Sequence, residues 1–172
     1  MSATGRSMKP RVTVFLCGES HRGDDGVAFR AAPLLAPEAQ AGYRAEAVGR
    51  LDAQHFLDLA PGAQCIVVDA VAGITPGEIL VMPLDRLTTL AEARSADRSV
   101  SRRRSSHGTS VEDAVALARM LRPDSARGTF VGVGTARFDL GADLSPPVAA
   151  ALPALAKTLA QEIDRLALGE AG

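Results

Sequence analysis

Three residues far apart in the sequence, Asp25, Asp69 and His107, have side chains suited to metal or proton chemistry. Carboxylate oxygens and an imidazole nitrogen suit a borderline divalent ion such as nickel or zinc. An imidazole can also act as a general acid or base near neutral pH. If the fold brings these three side chains together, they form an open site for an ion or a reacting peptide.

Asp25 belongs to a charged loop, GESHRGDDG, that directly follows an apolar run. Gly18 and Gly23 have the spacing of a phosphate-binding loop, but Asp24 and Asp25 replace its Lys and Ser/Thr. Since two carboxylates would repel a phosphate, nucleotide binding is disfavoured. One of the two aspartates is expected to cap the next helix. A cap needs only one of them, so we assign a functional role to at least one.

The remaining candidates are weaker. Asp69 lies near the end of an apolar run, and it could simply be a turn residue that binds its own backbone. His107, taken alone, could be a polar residue near a helix start. His21 could join the site from the charged loop, whereas His55 is predicted on a helix surface. Cys17 ends an apolar run, so we expect a buried thiol rather than a nucleophile.

Residue patterns predict the elements that would position these side chains. Strands are predicted at 11–17, 43–48, 64–71, 78–82 and 129–133, and helices at 25–35, 51–59, 84–93, 110–121 (capped by Ser110) and 147–168. This alternation indicates an α/β fold, a three-layer α/β/α sandwich with a mostly parallel central sheet of about five strands. Sites in such sheets lie beyond the carboxyl ends of the strands.

The composition sets limits on organisation and partners. The 172 residues, 47% of them hydrophobic, predict a single domain, with a disordered segment at 1–10 and a flexible Ser/Arg-rich loop at 94–106. The absence of Trp and a net charge of -1 argue against nucleic acid or a membrane as partner. No apolar run approaches the about 18 residues of a membrane span and the N-terminus has no apolar signal core, which favours the cytoplasm. Cys17 and Cys65 are predicted to be buried thiols.

Four motifs occur in order over nearly the whole sequence. They are the charged loop ending in Asp24-Asp25-Gly26, the strand and Pro-Gly turn VVDAVAGITPGEI, the Ser105-Ser106-His107 segment before an Ala- and Leu-rich helix, and Leu144-Ser145-Pro146 before the last helix. This ordered set resembles the family of hydrogenase maturation peptidases.

The resemblance implies an aspartyl-type endopeptidase. It would remove a C-terminal extension from the nickel-loaded large subunit of a nickel-iron hydrogenase, its expected partner. Asp25, Asp69 and His107 would contact the nickel, which the substrate supplies, and no organic cofactor is expected. The metal could serve as a recognition tag or take part in the chemistry. A monomer is expected.

The sequence departs from the family pattern at several positions. Glu19 stands where the family has Asn, and it could pair with Arg22 or disfavour an anionic peptide. The loop before His107 is unusually long and basic, and Arg98–Arg104 could contact an acidic partner. Two alternatives stay open: a non-catalytic hydrogenase-assembly chaperone or metal-binding protein, and a phosphoacceptor domain. The latter needs a lysine after a later strand, where this chain has none, since its lysines are Lys9 and Lys157.

Overall fold

The structure is a computed structural model that describes residues 12–35, 42–87 and 110–169. His107, the 94–106 loop with Arg98–Arg104 and the segment 1–10 lie outside the described residues, as does most of the helix predicted at 84–93. The predictions for these segments therefore stay predictions.

Five strands within the described ranges form one sheet at the centre of the fold. They are β1 (Val12–Cys17), β2 (Tyr43–Gly49), β3 (Gln64–Val71), β4 (Ile79–Pro83) and β5 (Arg127–Gly134). Their order across the sheet is β2-β1-β3-β5-β4. The pairs β2-β1, β1-β3 and β3-β5 are parallel, and β4 runs antiparallel to β5 at the edge. The predicted mostly parallel sheet of about five strands is confirmed.

In the described part of the chain, the strands are connected or flanked by the helices α1 (Val27–Ala31), α2 (Ala53–Leu57), α3 (Val111–Leu121) and α4 (Pro146–Ala167). Residues 84–87 are also helical. The predicted cap of α3 is confirmed, since the Ser110 hydroxyl accepts a hydrogen bond from the Asp113 amide at 3.2 Å. The single helix predicted at 25–35 is wrong in detail, because 3₁₀ turns at Gly23–Gly26 and Ala32–Leu34 leave α1 only five residues long.

The two faces of the sheet are covered by different helices. On one face, Val14 and Leu16 of β1 pack in a core with α1 and α4; on the other, Phe15 packs in a core with α2 and α3. This alternation follows from the two-residue period of a strand. All six residues of β1 are buried because both faces are covered. The predicted three-layer sandwich is confirmed.

The parallel arrangement fixes where loops meet. Since β1 and β3 are parallel neighbours, the loop after Cys17 and the end of β3 emerge at the same edge of the sheet.

Cys17 and Cys65 are both buried free thiols, as predicted. Within the described ranges, every helix is too short or too polar to span a membrane.

Candidate active site

The loop after β1 folds back tightly on itself, and Gly18 makes this possible. Gly18 has φ +96°, and a Cβ atom there would lie 2.1 Å from the backbone oxygen of Asp25. Only glycine fits such a close approach in a left-handed conformation. The Glu19 amide then donates a hydrogen bond of 2.8 Å to Oδ2 of Asp25. The Asp25 carboxylate is thereby held directly beyond the end of β1, and its side chain is only partly buried.

Asp24, by contrast, is completely buried. Its Oδ1 accepts a hydrogen bond from the Ser145 amide at 2.6 Å. Its Oδ2 accepts from the Ala136 and Arg137 amides at 2.8 and 3.1 Å and from the Ser145 hydroxyl at 2.8 Å. Desolvation alone would raise the pKa of Asp24, but these four donors outweigh it and lower the pKa below its ordinary value. The Asp24 carboxylate is therefore ionised, and it binds the loop after β1 to the connection between β5 and α4.

The expected helix cap is wrong for both aspartates. Neither the 3₁₀ turn Gly23–Gly26 nor α1 has a side-chain cap hydrogen bond. The Asp24 carboxylate binds instead to the connection between β5 and α4, and Asp25 binds the Glu19 amide. Asp25 is thus the carboxylate of the pair that stays available at the edge of the sheet.

Asp69 lies in β3, opposite Gly132 of β5 and two residues before the end of the strand. Burial raises the pKa of its carboxyl group to about 7, against the lowering effect of the Ala70 amide that donates to Oδ1 at 2.8 Å. The negative charges of Asp25 and Glu112 raise this pKa further. The bond to Ala70 is the local contact of a turn aspartate. The negative charge of Asp25 acts on Asp69 because the Asp25 loop leaves β1 where β1 runs beside β3, with Leu16 paired to Val68. Both carboxylates therefore belong to the same edge of the sheet.

Cys17 lies beside the same pair of carboxylates. Its thiol is buried, and burial together with the charges of Asp69 and Asp25 raises its pKa well above the ordinary value. A thiol in this environment stays protonated, so the structure agrees with the expectation that Cys17 is not a nucleophile.

Glu112 was missed by the sequence reasoning. It lies in the first turn of α3, is partly buried and acts on Asp69 through its charge. Its position only five residues after His107, at the start of a helix, was the available signal. Within the residues that the structure describes, no group of three His, Cys, Asp or Glu side chains could hold a metal ion. The predicted third ligand, His107, is outside those residues.

The other two histidines, His55 and His21, differ in their surroundings. His55 forms a capping box with Asp52 at the start of α2 and stacks edge-on against Phe15. His21 is exposed and lines a cavity of about 160 Å³ next to the connection between β5 and α4. Glu19 and Arg22 form the anticipated pair only at 4.0 Å and in an exposed position, where it contributes little to stability.

Comparisons with solved structures relate the fold to known proteins. The chain is 22% identical to the NiFe hydrogenase maturation protease HybD of Thermococcus kodakarensis, with a TM-score of 0.60, over 88% of this chain and 97% of that one. It is 17% identical to the hydrogenase maturating endopeptidase HybD of E. coli, with a TM-score of 0.63, over 87% and 89%. It is 21% identical to the NiFe hydrogenase maturation protease HycI of T. kodakarensis KOD1, with a TM-score of 0.61, over 92% of this chain and 95% of that one. No family model matches the sequence, and no curated protein matches it significantly. The chain therefore shares the fold of hydrogenase maturation proteases.

Proposed function

We propose that this protein is an endopeptidase that removes a C-terminal extension from the nickel-loaded large subunit of a nickel-iron hydrogenase. The observation that carries the proposal is the placement of Asp25 and Asp69 at the same carboxyl edge of the sheet, beyond the ends of the neighbouring strands β1 and β3. The likeness to structures of maturation proteases supports the same reading at the level of the fold.

The two carboxylates suit different tasks in peptide hydrolysis. A carboxyl group with a pKa of about 7, as in Asp69, can accept a proton from an attacking water near neutral pH. Asp25, which the Glu19 amide orients, has a second oxygen that can bind a metal ion or a peptide N–H. In the proposed complex the nickel belongs to the substrate, and Asp25, Asp69 and His107 contact it. The site then needs no organic cofactor.

A cleavage assay tests the proposal directly. The purified protein is mixed with nickel-loaded and nickel-free large-subunit precursor from the same organism, and intact-mass spectrometry follows the loss of the C-terminal segment. We expect cleavage of the nickel-loaded precursor only. Equal cleavage of both forms would show that nickel is not the recognition tag. Cleavage of neither form would refute the proposed peptidase activity.

Substitutions connect the activity to the site. Asp25→Asn, Asp69→Asn and His107→Ala should each strongly lower the rate of cleavage, whereas Asp164→Asn is a matched control because Asp164 is exposed on α4. A wild-type protein that binds the precursor at a 1:1 ratio without cutting it would favour the hydrogenase-assembly chaperone instead. Size-exclusion chromatography with light scattering tests the expected monomer in the same preparations.

A further inference from the structure

Two loops meet behind the Asp25 carboxylate, and backbone hydrogen bonds join them. The Gly23 amide donates to Ala142 at 3.1 Å, the Gly141 amide to His21 at 2.7 Å and the Asp24 amide to Arg137 at 3.1 Å. The charged loop after β1 is therefore bound along its length to the connection between β5 and α4.

The Asp24 side chain makes the deepest contacts at this junction. Its carboxylate is fully buried and binds three backbone amides and one hydroxyl of that connection. Hydrogen bonds to a buried charge are among the stronger ones in proteins. Asp25 follows directly in the same 3₁₀ turn, so a shift of Asp24 must move the backbone that carries the Asp25 carboxylate.

We propose that Asp24 is a positioning residue, whose buried contacts to residues 136, 137 and 145 set the location of the Asp25 carboxylate at the edge of the sheet. The proposal rests on the proposed function, in which Asp25 contacts the substrate. It assigns the two adjacent aspartates separate tasks: Asp24 binds protein and Asp25 binds substrate.

Asp24→Asn is the informative change because it keeps the size of the side chain. Every group facing the two carboxylate oxygens is a donor: the Ser145 amide at Oδ1, and two amides and the Ser145 hydroxyl at Oδ2. In either orientation, the NH₂ group of Asn meets at least one backbone N–H, so a hydrogen bond is replaced by a repulsive contact. Ser145→Ala is a milder variant, since it removes only the hydroxyl and leaves the three amide donors.

The first experiment needs no substrate. In an NMR spectrum at pH 7, the Glu19 amide proton should be shifted downfield by its hydrogen bond to Asp25, and Asp25→Asn should weaken that shift. We expect Asp24→Asn to displace the Glu19 resonance in the same direction, Ser145→Ala to do so less, and Asp164→Asn to leave it unchanged. A Glu19 resonance that is identical in wild type and a folded Asp24→Asn or Ser145→Ala protein would overturn the proposal.

The second experiment is a double-mutant cycle on precursor cleavage. If Asp24 acts through Asp25, Asp24→Asn should lower kcat about 100-fold, with less effect on KM, as expected for a displacement of about 1 Å. The double variant Asp24→Asn/Asp25→Asn should then be no slower than Asp25→Asn alone. Additive losses would show that Asp24 and Asp25 act independently of each other, and would refute the proposal.

Failure of the two proposals can be told apart. If wild type cleaves no precursor, the proposed peptidase function fails, while the Glu19 resonance still decides whether Asp24 positions Asp25. If wild type is active but the cycle is additive, the function stands and the positioning role fails.

Discussion

Replacing Asp69 by Asn should stabilise the folded protein at pH 8, although Asp69 belongs to the proposed active site. The reason is the cost of keeping a carboxylate charged where burial and two nearby carboxylates oppose ionisation. Asn is similar in size and never ionises, and its side-chain oxygen can still accept the hydrogen bond from the Ala70 amide.

The size of the effect follows from the shift in pKa. The pKa of Asp69 rises from 3.8 to about 7 on folding, and each unit corresponds to about 1.4 kcal/mol. The upper value is therefore about 4 kcal/mol, and because the side chain is partly exposed, we expect about 1–3 kcal/mol.

The pH dependence has a definite sign. Between pH 3.8 and about 7 the folded protein keeps the Asp69 proton that the unfolded chain has lost. The contribution of this proton to the free energy of unfolding is therefore at its full value below pH 3.8, decreases as the pH rises and is lost above about pH 7. Asp69→Asn should match wild type most closely near pH 4 and exceed it by the full amount at pH 8.

Urea unfolding of wild type, Asp69→Asn and the control Asp164→Asn at pH 4 to 8 measures these differences. A chelator in every sample removes stray metal ions, which would stabilise the charged carboxylate. Subtraction of the wild-type curve cancels the titrating groups that do not interact with Asp69. An Asp69→Asn protein that is less stable than wild type at pH 8, or a difference that does not change with pH, would refute this reasoning.

Two further predictions concern the same edge of the sheet. Gly18→Ala places a Cβ atom 2.1 Å from the backbone oxygen of Asp25 at a φ of +96°. We therefore expect the free energy of unfolding in urea to fall by at least about 2 kcal/mol and the Glu19 amide resonance to be displaced. Wild-type values for both would contradict the tight turn. Burial raises the pKa of Cys17 above its ordinary value and that of Cys65 to about 12. Iodoacetamide at pH 8 should therefore modify both cysteines only after unfolding. Mass spectrometry measures the modification, and rapid labelling of the folded protein would contradict the prediction.

Much of the fold could be read from the sequence because the signals are local. The apolar runs at 12–17 and 64–71 can be satisfied only by strands covered on both faces, and the structure contains both. Ser110 was recognisable as a cap because its partner lies three residues away. The helix predicted at 25–35 failed because Gly26 and Pro33 favour turns within an otherwise helical apolar pattern.

The sequence also determined where chemistry could occur, since parallel strands place the ends of β1 and β3 at one edge whatever the details of packing. Residue types and spacing alone left open which of Asp24 and Asp25 is available for chemistry, and only the family resemblance indicated Asp25. The reason is that the donors that bind Asp24 lie more than 110 residues later in the chain. Nor could the sequence show the charge of Glu112 acting on Asp69, which depends on how α3 packs. In the sequence, Asp24 and Asp25 look alike because they are adjacent residues of one type. Only the tertiary structure distinguishes them, because it buries Asp24 among backbone amides and leaves Asp25 partly exposed.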